Sequence, residues 1–123
     1  MQLVQVALRS TDLARSAAWW TTVLQTEPRA TFDPPGLLFY DLAGVRLLLD
    51  HGGPVATVYG RVADLRAELA RLAAAGVPAV AEPHVIFHHT DDTLGPAGHD
   101  EHMAFVADPD GNVLGLVEWV AAD

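Results

Sequence analysis

Apolar and polar residues follow regular periods in the first part of the chain. From Val4 to Leu8 apolar residues alternate with Gln5 and Ala7, which predicts a half-buried strand. The segment Ser10-Thr11-Asp12 then supplies side chains that cap helices. An apolar stripe at helical spacing comes next, at Leu13, Ala17, Trp20 and Leu24. The pattern therefore predicts a strand and an amphipathic helix that ends in the polar stretch 25–29.

The same plan recurs in the second half of the chain. An alternating stretch from Thr57 to Val62 predicts a strand, and Asp64 is placed to cap the helix that follows. Before Gly76, the apolar stripe of that helix is Leu65, Leu69 and Leu72. Asp12 and Asp64 are therefore equivalent positions of an internal repeat.

Each copy of the repeat continues with a hairpin. The segments 39–49 and 105–116 both predict strand, turn and strand, with an Asp three residues before a Gly in the turn. One more strand is expected before each hairpin, at about Arg29 to Phe32 and at about His84 to His89. The chain is predicted to be βαβββ written twice, with module one at about 1–52, module two at about 55–120, and 51–54 between them.

Composition sets the class of protein. A chain of 123 residues, 50% of them hydrophobic, suffices for one packed domain, so we expect a single α+β domain over 1–123. It has no cysteine, which excludes disulfides, thiolate metal sites and a catalytic thiol. No signal peptide and no membrane-spanning apolar run is evident, so a cytoplasmic location is expected.

The charge balance bears on the partner. Seven basic residues against sixteen acidic ones give a net charge of −9. Nucleic acid and anionic membranes are therefore not expected as partners, whereas a cationic small molecule is favoured. Acidity that serves only solubility remains the alternative.

Three segments together resemble the vicinal oxygen chelate superfamily, which includes glyoxalase I, bleomycin-resistance proteins and extradiol dioxygenases. They are VALRSTDLARSAAWWTTVL, RVADLRAELARLAAAGV and FVADPDGNVLGLVE, and the resemblance covers almost the whole chain. It implies two βαβββ modules forming a curved mixed sheet that encloses a cup, with the helices on the outer face. Alternation then predicts which side chains face the cup: Gln5, Ala7, Arg9, Arg46, Leu48, Asp50, Thr57, Tyr59, Arg61, Val113, Gly115 and Val117.

The resemblance also implies where a metal would be bound. Metal-dependent relatives place His or Glu on four strands, and those positions fall here on Gln5, Leu48, Thr57 and Gly115. Leucine and glycine side chains cannot ligate a cation, and glutamine and threonine are weak neutral ligands. We expect no metal and no other cofactor, and the resemblance favours the branch that uses the cup as a ligand pocket.

Histidines in module two offer an alternative site. His84 and His88, four apart on one strand, are expected to share a face, whereas His89 points to the other. A metal site from His84, His88 and His102, or a general acid–base role for His84 or His102, therefore stays open. The segment 90–98 is expected to be a mobile loop, and Asp108-Pro109-Asp110-Gly111-Asn112 a turn rather than a calcium loop.

The resulting prediction is a homodimeric protein that captures a small organic molecule, cationic or aromatic, in the manner of drug-sequestering resistance proteins. Tyr59 and Trp119 supply stacking area, while Phe39, Met103 and Phe105 are expected to be packing residues. The predicted ligand-binding residues are Gln5, Arg46, Leu48, Asp50, Thr57, Tyr59, Arg61, His84, His102, Gly115 and Trp119. A glyoxalase-like lyase, isomerase or dioxygenase that uses the histidines is the alternative.

Overall fold

A computed structural model describes all 123 residues and confirms the duplicated βαβββ plan. The first copy contains β1 (Gln5–Arg9), α1 (Leu13–Leu24), β2 (Ala30–Phe32), β3 (Leu37–Leu42) and β4 (Val45–Asp50). The second contains β5 (Thr57–Arg61), α2 (Leu65–Ala74), β6 (His84–His88), β7 (His99–Ala107) and β8 (Val113–Ala121). Two compact units result, which we call unit 1 (Met1–Ala56 with Asp108–Asn112) and unit 2 (Thr57–Ala107 with Val113–Asp123).

Unit 1 is a four-stranded mixed sheet in the order β1-β4-β3-β2, with β1 and β4 parallel and the other pairs antiparallel. Asp12 caps α1 by accepting a hydrogen bond from the Arg15 amide. The buried stripe of the helix is Leu13, Ser16, Trp20 and Val23. The predicted Ala17 and Leu24 are only half-buried, because Ser16 turns inward and its hydroxyl shares a 2.6 Å hydrogen bond with Ser10.

Unit 2 repeats this sheet in the order β5-β8-β7-β6, again with one parallel pair, β5 and β8. Asp64 caps α2 by accepting from the Ala67 amide. Leu65 and Leu72 are the buried residues of the helix, and the Glu118 carboxylate accepts from the Leu65 amide at 2.7 Å. Glu118 therefore lies on the helix side of the sheet, opposite to the predicted cup-facing residues Gly115 and Val117.

The five residues between β7 and β8 belong to unit 1. The Trp20 indole donates to Asp108 Oδ2 at 3.0 Å, and the fully buried Asn112 donates to the Arg9 carbonyl at 2.8 Å. Asp110 Oδ1 accepts from the amide and the hydroxyl of Thr11. A segment predicted only to turn the chain is thus a hydrogen-bonding centre of the unit 1 core.

Neither helix is long and apolar enough to cross a membrane.

Candidate functional site

One face of the unit 2 sheet forms the candidate site. Strand register aligns Tyr59 with Gly115 and Phe105, then Arg61 with Val117 and Met103, and finally Trp119 with Glu101. Because side chains alternate along a strand, these three rows share one face. They leave a pocket of about 320 Å³ lined by Tyr59, Gly60, Arg61, Glu101, Met103, Val117 and Trp119. We call this the Glu101 pocket.

Only one oxygen of the Glu101 carboxylate accepts hydrogen bonds within the chain. Its Oε1 accepts hydrogen bonds from His89 Nε2 and Trp119 Nε1, both at 2.9 Å, while Oε2 has no partner within the chain. The side chain is 16% exposed, so it is largely shielded from water but reaches the pocket. A charged oxygen fixed in position and left unpaired can accept a hydrogen bond from a ligand or remove a proton from one.

His89 is the residue that fixes Glu101 from behind. Its side chain is 2% exposed, and its ring packs against Phe87 with centroids 4.8 Å apart. A Cβ on Gly95 would lie only 2.8 Å from the imidazole, so the 90–98 segment covers the ring closely at a point where only glycine fits. Nδ1 has no partner, which fits the tautomer that carries its hydrogen on Nε2 and donates to Glu101.

Aromatic rings form the apolar part of the pocket. The Arg61 guanidinium lies 4.5 Å from the centroid of the Trp119 ring, a cation–π contact. Tyr59 is 60% exposed and meets Phe105 edge to face at 6.1 Å. Its ring occupies the space over Gly115, since a Cβ there would lie 2.5 Å from Tyr59 Cδ1. Gly115 is consequently buried and does not line the pocket.

The structure does not bring all the predicted site residues together in one pocket. Tyr59, Arg61 and Trp119 line the Glu101 pocket together. Gln5 and Arg46 line a different pocket, in unit 1, where Arg46 Nε donates to Gln5 Oε1 at 2.9 Å. The remaining non-histidine residues lie outside both pockets: Leu48 is buried, Asp50 accepts from the Gly52 amide, and Thr57 is exposed.

The prediction that His84 and His88 share a face is wrong, because β6 contains a bulge between them. Val85 pairs with His102 and Phe87 with Glu101, so Ile86 is an extra residue that reverses the alternation. His84 is exposed with Nδ1 near the Glu82 carbonyl, and His88 pairs with Asp100 at 2.7 Å. His102 lines another pocket, with Glu118 and Asp64.

Three side chains of the candidate site, in the Glu101 pocket or bonded to Glu101, were not predicted. Alternation predicts only that His89 points away from His84 and His88, and nothing in it indicates that the ring is buried and bonded to Glu101. Met103 lines the pocket rather than only packing. Glu101 could have been found from the hairpin register, since a turn at 108–112 places it opposite Trp119.

The fold class is α+β, with two βαβββ modules that each form a four-stranded mixed sheet with a helix. A family model described as the Glyoxalase/Bleomycin resistance protein/Dioxygenase superfamily matches residues 2–116, and the chain belongs to this superfamily.

Solved structures share the fold over nearly the whole chain. A lactoylglutathione lyase from Agrobacterium tumefaciens is 19% identical with a TM-score of 0.69, over 95% of this chain and 92% of that one. A glyoxalase/bleomycin resistance protein from Catenulispora acidiphila is 20% identical with a TM-score of 0.68, over 96% and 98%. A virulence protein from Salmonella typhimurium is 15% identical with a TM-score of 0.74, over 98% of each. No curated protein sequence shows significant similarity to the chain.

The residues at the four positions of the superfamily's metal ligands do not fit a metal. Leu48 is buried and apolar, and the Tyr59 ring covers Gly115. The amide oxygen of Gln5 is bonded to Arg46, and Thr57 offers only a neutral hydroxyl. Elsewhere, no three His, Asp or Glu side chains are grouped closely enough to hold an ion.

Proposed function

We propose that the chain captures a small organic cation with an apolar or aromatic body in the Glu101 pocket, without the metal used by other members of the superfamily. Glu101 Oε2 accepts a hydrogen bond from the cationic group, and Tyr59, Met103, Val117 and Trp119 contact the body of the ligand. Capture of a drug or metabolite, as in antibiotic self-resistance, is the physiological role that this chemistry serves.

The observation that carries the proposal is the one-sided hydrogen bonding of Glu101. Two ring donors fix Oε1, so little conformational entropy is lost when Oε2 engages a ligand. The net charge of −9 adds long-range attraction for a cation. A volume of about 320 Å³ lies at the small end of the range for ligand pockets, about 300–1,000 Å³.

Isothermal titration calorimetry with benzylamine and benzyl alcohol tests the proposal. The two probes share a ring, but only the amine is charged at neutral pH. We expect benzylamine to bind more tightly, and Glu101→Gln to weaken it by roughly tenfold or more while leaving benzyl alcohol nearly unchanged.

Glu82→Gln is the matched control, because it removes one negative charge at an exposed position outside the pocket. Equal losses in Glu101→Gln and Glu82→Gln would mean that only net charge matters. Equal affinity for the amine and the alcohol would sink the proposed role of Glu101.

A proton-transferring lyase or isomerase is the second candidate, favoured by the unpaired Oε2 beside a buried histidine. In that case Glu101 is the base and His89 positions it, in place of the His84 and His102 roles expected from the sequence. Incubating bound ligand in D₂O separates the two functions. Capture returns the ligand unchanged, whereas proton abstraction exchanges a carbon-bound hydrogen for deuterium, as mass spectrometry detects.

We further propose a homodimer that acts in the cytoplasm, the latter in keeping with the lack of cysteine. The dimer is supported by edge strand β6, where Val85, Ile86 and Phe87 are 50%, 45% and 48% exposed. Sedimentation equilibrium is expected to show a dimer that Ile86→Lys weakens and Val80→Lys, at an exposed apolar residue outside the strand, does not.

A further inference from the structure

Unit 1 has a pocket of its own, which the proposed function does not use. It measures about 330 Å³ and is lined by Gln5, Arg29, Ala30, Phe32, Phe39 and Arg46. We call it the Arg46 pocket. Its two titratable side chains are both arginines, although acids outnumber bases sixteen to seven in the chain.

Neither arginine is neutralised by a carboxylate. Arg46 donates to Gln5 through Nε, which leaves both terminal nitrogens without a partner in the chain. The guanidinium of Arg29 has no hydrogen bond or ion pair, and only its backbone amide is bonded, to the Phe39 carbonyl. Asp41 lies opposite Arg46 in the strand register but forms no ion pair with it.

The paired arginines of the chain make the contrast clear. Arg15 pairs with Asp110 at 3.3 Å, and Arg71 pairs with Glu68. Two guanidinium groups left unpaired on the same small pocket form a ready site for an anion, because the terminal edge of Arg46 can donate two parallel hydrogen bonds to one carboxylate.

Two phenylalanines supply the apolar wall. Phe32 and Phe39 meet edge to face with centroids 6.0 Å apart, and the Arg46 guanidinium lies 6.0 Å from the Phe39 centroid. Phe32 is 53% exposed, so part of its ring is available to a ligand. Offset or edge contacts with a third ring would bury this surface.

We propose that the Arg46 pocket binds an aromatic carboxylate. Arg46 and Arg29 hold the carboxylate, while Phe32 and Phe39 contact the ring. A monoanion is favoured over a phosphate because the net charge of −9 repels a polyanion more strongly, and because a bare anion gains nothing from the phenyl wall.

Titration of ¹⁵N-labelled protein followed by amide chemical shifts tests the proposal with three probes: benzoate, its neutral analogue benzamide, and inorganic phosphate. We expect benzoate to shift amides of β2, β3 and β4 in a saturable manner and to leave β7 unmoved. Benzamide and phosphate are each expected to bind at least about tenfold more weakly than benzoate. Benzoate binding should weaken as salt is raised.

Variants assign the effect to the pocket. Arg46→Gln and Arg29→Gln change exposed side chains and are expected to weaken benzoate by about tenfold each. Arg66→Gln on α2, an exposed arginine outside this pocket, is the matched control and should not.

Three results would overturn the proposal: equal binding of benzamide, equal binding of phosphate, or benzoate shifts that persist in Arg46→Gln. Glu101→Gln should leave benzoate binding unchanged. A negative result with benzoate therefore does not contradict the proposal for the Glu101 pocket. A negative result with benzylamine likewise does not contradict the proposal for the Arg46 pocket.

Discussion

Each unit has a row of three aligned residues across three neighbouring strands. The two rows share a phenylalanine, but the large and the small residue beside it have exchanged strands. In unit 1 the row is Ala7, Leu48 and Phe39. In unit 2 it is Tyr59, Gly115 and Phe105. The space filled by Leu48 beside a small Ala7 is filled in unit 2 by the Tyr59 ring above Gly115. The repeat thus preserves the strand register, but not which strand supplies the large side chain.

The equivalent hairpin turns also differ, in how far the aspartate of each turn is buried and hydrogen-bonded. In unit 1, Ala43 and Gly44 form a two-residue turn with φ of 52° and 92°, and Asp41 before it is exposed. The corresponding Asp108 is 5% exposed and accepts hydrogen bonds from the Trp20 indole, the Asn112 side chain, and the amides of Asp110 and Asn112. One turn only reverses the chain, whereas the other holds part of the unit 1 core.

The largest effect is expected when these turn aspartates are compared directly. Asp108→Asn replaces an acceptor oxygen with an NH₂ group among donors, and should lower the free energy of unfolding by about 3 kcal/mol. Asp41→Asn, the same change at the equivalent exposed position, should stay within about 0.5 kcal/mol of the parent. Urea unfolding measures both, and equal losses would show that the two turns are not distinguished by their hydrogen bonds.

The exchanged row gives the next largest effect. Gly115→Leu places a side chain against the Tyr59 and Phe105 rings and should destabilise the chain by about 2 kcal/mol. Adding Tyr59→Ala rebuilds the unit 1 row of Ala, Leu and Phe, and should recover at least half of the loss.

Gly60→Ala is the control for that swap, since its Cβ would meet nothing closer than 3.9 Å and should cost little. Denaturation of the single and double variants gives the coupling between positions 59 and 115. A coupling near zero would contradict the idea that the Tyr59 ring fills in unit 2 the space that a leucine fills in unit 1.

The fold could be predicted because its signals are local. The helix caps Asp12 and Asp64 and the alternation from Thr57 onward each specify a short segment, and their repetition fixes the order of elements. Alternation also placed Tyr59, Arg61 and Val117 on one face of the sheet, because one residue of known direction on a regular strand sets the rest.

The site could be predicted only in part, because its decisive contacts are not local. The bulge at Ile86 adds one residue to β6, and no period in the sequence marks it. The Glu101 carboxylate is fixed by hydrogen bonds from His89 and Trp119, which lie 12 and 18 residues away in the chain. The 90–98 segment in turn packs closely against the imidazole. Residue type alone drew attention to His84 and His102 instead.

The smallest expected effect is a pH dependence that distinguishes the two hairpin turns. Burial by itself raises the pKa of Asp110, but hydrogen bonds from Thr11 and Ser16 and the charge of Arg15 outweigh it, so that the pKa is lowered. A lowered folded-state pKa stabilises the fold above the unfolded value of about 3.9, and this contribution is lost as the pH falls through the folded value. Asp110→Asn should therefore lower the melting temperature at pH 7, and its difference from the parent should shrink progressively below about pH 4. Asp41→Asn, the same change at the exposed position of the other turn, is measured alongside as the control. A deficit in Asp110→Asn that stays constant down to pH 3 would mean that the carboxylate acts through shape alone and that its charge does not stabilise the turn.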